Sequence, residues 1–109
     1  MRVLFNNSGV SGRHSCVPYQ TAYDWKNELG EQGPSTGRRV GIYAEHSGPL
    51  ATQAAHNALS DSGIDPAEIT HLVTVSCTGF DAPGVDIQLI SSLGLRNTTQ
   101  RVHVGYMGC

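Results

Sequence analysis

Apolar residues recur at helical spacing in the middle of the chain, between Arg38 and Gly63. One stripe at steps of three and four is formed by Val40, Tyr43, Ser47, Leu50, Ala54 and Ala58, and it is widened by Ala51, Ala55 and Leu59. This period predicts an amphipathic helix with a small-residue face that suits close packing. Ser35 or Thr36 is expected to cap its start, and Gly63 to end it. Pro49 lacks an N–H donor, which predicts a bend one turn earlier or a division of the helix.

Two short runs with the composition of strands follow, separated by a second helical pattern. THLVTVSC (70–77) is apolar and β-branched, which predicts a buried strand. GVDIQLISSLG (84–94) predicts a helix that ends at Gly94. In TTQRVHVGYM (98–107), Val102, Val104 and Tyr106 alternate with other residues, as in a strand. The order helix, strand, helix, strand predicts an α/β fold with a largely buried sheet.

The first third of the chain is rich in turn residues. NNSGVSGRHS (6–15) and GEQGPSTG (30–37) are typical of loops. Between them, YQTAYDWKNELG (19–30) predicts a short helix that stops at Gly30. A chain with this modest apolar content is expected to be part of a domain rather than a whole one.

Charge and cysteine usage exclude several classes of function. Among 109 residues there are 7 basic and 9 acidic ones, without a basic stripe, which argues against a nucleic-acid or anionic-membrane partner. No apolar stretch approaches 18 residues and no signal-peptide pattern opens the chain, so a cytoplasmic location is predicted. Three widely spaced cysteines argue against a disulfide framework. The five histidines lack close ligand spacing, so no metal site and no cofactor are expected.

Two cysteines follow the predicted strands, and each has two interpretations. Cys109 stands after a strand and Gly108, where a following helix would lower the pKa of a nucleophilic thiol. The alternative is a buried structural cysteine, which is common. Cys77 ends the first strand beside Thr78 and Gly79; strand ends carry sites in α/β sheets, but a small residue packed there is also common.

Four short motifs lie between Ile69 and Cys109. They are Ser76 to Gly79, Pro83-Gly84-Val85-Asp86, Leu93-Gly94-Leu95 and Gly108-Cys109. The run from Ile69 to Cys109 closely resembles the type III polyketide synthases, the chalcone and stilbene synthase family, in a bacterial-looking form, and the match needs no gap. SGVSGRHS and RRVGIYAEHSGPLATQAAHNAL resemble the early loop and the long helix of the same family.

The resemblance implies a thiolase-like fold with αβαβα layers, of which residues 1–109 would be part of the N-terminal half. It implies that Cys109 is the catalytic cysteine, which takes the acyl group of an acyl-CoA starter before condensation with malonyl-CoA. The family's catalytic histidine and asparagine would lie beyond this chain, so no histidine here is assigned that role. We expect the 109-residue chain alone to be inactive.

The resemblance also assigns roles to the loop after the first strand. Cys77, Thr78 and Gly79 match positions that line the family's acyl cavity. Ala82 stands where plant chalcone synthases carry a methionine that crosses the dimer interface, so a homodimer is implied and an aromatic starter is not. The basic residues that plant enzymes use for CoA phosphates are not recognisable in NNSGVSG.

Two alternatives remain at the level of sequence. A ketoacyl-acyl carrier protein synthase III shares the fold and the cysteine, but it more usually shows an Ala-Cys context, so GYMGC and PGVDIQLI favour the polyketide synthases. The other alternative is a non-catalytic remnant of the fold, with dimerisation as its only activity.

Overall fold

The computed structural model describes residues 6–12, 14–18, 20, 33–77 and 79–106. The chain divides into two units, residues 1–34 and 35–109. In the first unit, the serine hydroxyls of two turns accept hydrogen bonds from the backbone N–H two residues on, Ser8 from Val10 and Ser15 from Val17, both at 3.2 Å. The helix predicted for residues 19–30 lies outside the described residues, apart from Gln20, which is helical.

The long helix predicted from the apolar stripe is present as α1, Thr36–Ser62. Ser35 caps it, because its Oγ accepts the N–H of Arg38 at 3.2 Å, and Gly63 ends it with φ of 67°. Pro49 lies inside the helix. The predicted division at Pro49 is therefore wrong: a proline removes one donor, and packing against a neighbouring element offsets that loss.

The second half of the chain forms the predicted strand, helix and strand. A short 3₁₀ helix, Pro66–Glu68, leads into β1, His71–Ser76; α2 spans Val85–Leu93 and β2 spans Gln100–Gly105. Gly94 ends α2 in the left-handed conformation, with φ of 66°. The strands are parallel neighbours with His71 opposite Gln100 and Ser76 opposite Gly105. This is a βαβ unit, in which a crossover helix joins two parallel strands.

The core lies between the two helices and one face of the sheet. Leu89, Leu93 and Leu95 are buried, and the partly buried residues packed on them are Ala51, Ala55, Leu59, Ile69, Leu72 and Ile90. The small side chains of α1 therefore face α2, as the stripe predicted. In the described part of the chain, no helix is both long and apolar enough to cross a membrane.

The second face of the sheet is exposed, which corrects the prediction of a buried sheet. Val73, Val75 and Val102 are 61%, 63% and 53% exposed. Strand composition predicted burial on both faces, but within residues 35–77 and 79–106 the helices contribute core contacts on one side only. Leu72 lies on the face that meets the helices and the valines lie on the opposite face, and a sheet that is apolar on both faces needs a layer on each.

Candidate active-site edge

The carboxyl ends of β1 and β2 lie side by side. Ser76 and Gly105 are partners in the parallel register, and the N–H of Tyr106 donates to the carbonyl of Ser76 at 3.2 Å. The loop after β1 (residues 77–84, the β1–α2 loop) and the segment after β2 therefore leave the sheet at the same edge. Ligands of open α/β sheets bind at this edge.

Cys77 and Gly79 are the first described residues of the β1–α2 loop. Cys77 is half-buried and its sulfur is disulfide-bonded, although the wide spacing of the three cysteines argues against a disulfide framework. Gly79 is buried beneath the side chain of Tyr43 from α1. A Cβ on Gly79 would lie 2.6 Å from Cγ and 2.8 Å from Cβ of Tyr43, so the chain can approach α1 here only without a side chain.

Ala82 lies in the exposed part of the same loop. Its N–H donates to Oδ1 of Asp81 at 2.9 Å, and the Ala82–Pro83 peptide bond is cis. Two candidate residues, Thr78 and Cys109, lie outside the described residues. Their assignment to substrate binding and to nucleophilic attack stays a prediction, as do the roles of Cys77, Gly79 and Ala82.

Tyr106, the last residue described before the segment that leads to Cys109, has an unusual backbone conformation. Its φ of 54° is left-handed, which is uncommon for a residue with a large side chain. Its ring stands edge-on to that of Phe80 from the β1–α2 loop, with 6.5 Å between the ring centroids. The alternation in the sequence predicted that Tyr106 belongs to the strand, whereas it lies just beyond β2, because the left-handed residue ends the ladder.

An ion pair links the start of α2 to β2. Nη1 of Arg101 donates to Oδ2 of Asp86 at 2.6 Å, and the Asp86 side chain is only 13% exposed. The second carboxylate oxygen of Asp86 lies 2.6 Å from the place where a Cβ of Gly84 would stand. Sequence reasoning singled out Asp86 only as part of a motif, and missed its partner.

An apolar cleft lies away from the carboxyl edge of the sheet. Its volume is about 350 Å³, and its lining includes Ile69, Leu72 and Leu95. Ile69 precedes β1 and Leu95 follows α2, so the cleft opens toward the amino end of β1, away from residues 77–79. In the described ranges no three histidine, cysteine, aspartate or glutamate side chains are placed to hold a metal ion.

The βαβ unit and its shared carboxyl edge define an α/β protein with its candidate site at the strand ends. Residues 2–109 match the family model described as chalcone and stilbene synthases, N-terminal domain. The chain belongs to the chalcone and stilbene synthase family, which confirms the prediction from its motifs.

Individual relatives agree with this assignment. The alpha-pyrone synthesis polyketide synthase-like Pks18 of Mycobacterium tuberculosis is 40% identical over 97% of this chain and 26% of its own length. The acylalkylpyrone synthase csyB of Aspergillus oryzae is 41% identical over 70% of this chain and 19% of its own length. This chain therefore spans about a quarter or less of these two curated relatives.

Solved structures show the same fold. CsyB complexed with CoA-SH matches with a TM-score of 0.63 and 39% identity, covering 72% of this chain and 21% of that one. The C-terminal type III polyketide synthase domain of Steely1 from Dictyostelium matches with a TM-score of 0.61 and 37% identity, covering 64% of this chain and 19% of that one. The predicted thiolase-like fold is confirmed, and the described residues form a partial α/β segment of it.

Proposed function

We propose that the whole protein is a polyketide-forming acyltransferase that condenses an acyl-CoA starter with malonyl-CoA, and that residues 1–109 are part of its N-terminal thiolase-like domain. The observation that carries the proposal is the shared carboxyl edge of β1 and β2 in a chain that matches the family from residue 2 to residue 109. The similar protein CsyB has been solved in complex with CoA-SH, which supports a CoA thioester as substrate. A cytoplasmic location stays a prediction from the sequence.

In the proposed reaction, the thiolate of Cys109 attacks the carbonyl carbon of the starter thioester, and CoA leaves as the thiolate. Malonyl-CoA then loses CO₂, and its carbanion attacks the acyl group on Cys109. A carbon–carbon bond forms, and the Cys109 thiolate is released. The negative charge on the carbonyl oxygen needs hydrogen-bond donors, and removing one such donor typically costs about 100- to 1,000-fold in rate. We assign those donors to the family's histidine and asparagine, outside this chain.

Acylation of Cys109 tests the proposal. Incubating the whole protein with acyl-CoAs of increasing chain length, in the presence of a thiol reductant, should give an acyl adduct on Cys109 by peptide mass spectrometry. The adduct should be lost in Cys109→Ala and kept in Cys16→Ala, because Cys16 is an exposed, free cysteine in the first unit. The 109-residue chain alone should give no adduct. Acylation of another residue in the whole protein, or malonyl-CoA consumption by the chain alone, would contradict the proposal.

We propose that Cys77, Thr78 and Gly79 line the acyl cavity. In the whole protein, Cys77→Phe should therefore shift the products toward smaller starters or fewer extensions, because the larger side chain takes up cavity volume. Cys77→Ser, which is close in size to the native residue, is the matched control. Product analysis by liquid chromatography and mass spectrometry checks this. An unchanged product profile in Cys77→Phe would show that Cys77 does not face the cavity.

We also propose that the whole protein is a homodimer that meets its partner near Asp81, Ala82 and Pro83. Asp81 and Ala82 are exposed in the single chain, which is compatible with a contact there. Light scattering coupled to size exclusion should give the mass of two chains at micromolar concentration, and Ala82→Arg should lower that mass. A wild-type protein of one-chain mass would refute the proposal.

A further inference from the structure

We propose that Asp86 and Arg101 are a positioning pair that fixes the β1–α2 loop, and with it the acyl cavity, against the strand that leads to Cys109. The inference rests on the proposed function for its kinetic consequence, but its structural claim stands on contacts within the described residues. Neither residue belongs to the set assigned to catalysis or substrate binding.

The β1–α2 loop is tied to β2 at both of its ends. Where the loop begins, the carbonyl of Ser76 accepts the N–H of Tyr106, which follows β2. Where the loop ends, Asp86 in the first turn of α2 accepts the guanidinium of Arg101 at 2.6 Å. The first contact joins two backbone groups, whereas the second depends on two side chains. Removing the ion pair therefore frees one end of the loop and leaves the sheet intact.

The position of the pair is also specific. Arg101 is the register partner of Leu72, which packs on the core, so the arginine lies on the face of the sheet that meets the helices. The carboxylate of Asp86 lies against Gly84, at a site that any side chain on residue 84 would fill. The carboxylate of Asp86 thus packs directly over the backbone of the last residue of the loop.

A role in stability and a role in positioning make different demands on the pair. Asp86 is one of two buried polar residues among those described, the other being Thr99. The Asp86 side chain is 13% exposed and that of Arg101 is 40% exposed, so losing Arg101 leaves a nearly buried carboxylate without its partner and is destabilising. Replacing both members of such a pair by neutral groups is often neutral or stabilising. A pair that serves only stability can therefore be replaced by two neutral side chains without loss. A pair that fixes the position of the β1–α2 loop cannot be replaced in this way without loss of activity.

The experiment compares Arg101→Met, Asp86→Asn and the double variant in the whole protein. Arg96→Met is the control, since it removes the same charge from an exposed arginine after α2. Three quantities are measured: the unfolding midpoint, the kcat and KM of polyketide formation, and backbone hydrogen exchange of residues 79–84 relative to α1. Hydrogen exchange requires no activity, so it tests the structural claim even if the wild-type protein forms no product, an outcome that would refute the proposed function instead.

We expect Arg101→Met to lower the unfolding midpoint. The double variant should recover most of that loss in midpoint. In the double variant, backbone hydrogen exchange in residues 79–84 should stay roughly tenfold faster than in wild type, while the exchange rate of α1 is unchanged. The two can differ because loops open locally without global unfolding. The kcat of the double variant should stay about 10- to 100-fold below that of wild type, with little change in KM. A small misplacement of reacting groups lowers the rate by factors of that order. Wild-type loop exchange in the double variant overturns the proposal, and so does a wild-type kcat in an active enzyme.

Discussion

Replacing Leu89 by alanine should lower the free energy of unfolding of the chain by about 2–5 kcal/mol, the usual range for a buried leucine. Leu89 is only 4% exposed, the lowest value among the three buried leucines. It lies in α2 and packs in the cluster that joins both helices to β1. Urea denaturation followed by circular dichroism measures the loss.

Ile87→Ala is the matched control for this prediction. Ile87 lies two residues earlier in the same helix and is 40% exposed, so its truncation removes a branched aliphatic side chain without opening a core cavity. We expect a change below about 1 kcal/mol, because substitutions at exposed positions are usually mild. Equal losses for the two variants would show that the leucine cluster is not the core of this chain.

The order and bounds of the elements were predictable because local signals mark them. The apolar stripe of α1 ends at Gly63 and that of α2 ends at Gly94, and both glycines are left-handed helix ends. The alternation of Val102 and Val104 identified β2 for the same local reason. Burial of the sheet was not predictable in this way. Apolar residues on both faces, Leu72 on one and Val73 on the other, indicate that a strand can be covered twice, but which residues cover it depends on tertiary packing.

In the candidate site, too, local signals were predictable from the sequence and tertiary contacts were not. The sequence predicted that Cys77 ends the first strand, and the parallel register puts that strand end beside the carboxyl end of β2. The contacts that fix this edge join residues that no spacing rule connects, such as Tyr43 with Gly79 and Asp86 with Arg101. A positive φ at Tyr106 was not predictable either, since large side chains seldom adopt it. Motifs thus predict which residues belong to the candidate site, whereas contacts between residues distant in sequence determine its geometry.

Gly79→Ala should destabilise the chain by about 1–3 kcal/mol, the range found when a methyl group is forced into a packed site. The new Cβ would meet Cγ and Cβ of Tyr43 at 2.6 and 2.8 Å. These atoms stand close to the backbone of α1, so they cannot swing aside as the tip of a long side chain can. The β1–α2 loop or the helix must move instead. Because Gly79 is a proposed wall of the acyl cavity, the whole protein should also form less product.

Two other glycines and Tyr43 itself provide the controls. Gly41→Ala, in open space within α1, should stabilise by about 0.5–1 kcal/mol, as expected for alanine in a helix. The three atoms nearest to a Cβ on Gly48 belong to the terminal amide of Gln88, which can rotate away, so the effect of Gly48→Ala should be small. In a double-mutant cycle, Gly79→Ala should cost much less once Tyr43→Gly has removed both the Cβ and the ring that it would meet, and the difference measures the coupling between the two residues. Equal costs of Gly79→Ala in both backgrounds would show that Tyr43 is not what excludes a side chain at residue 79.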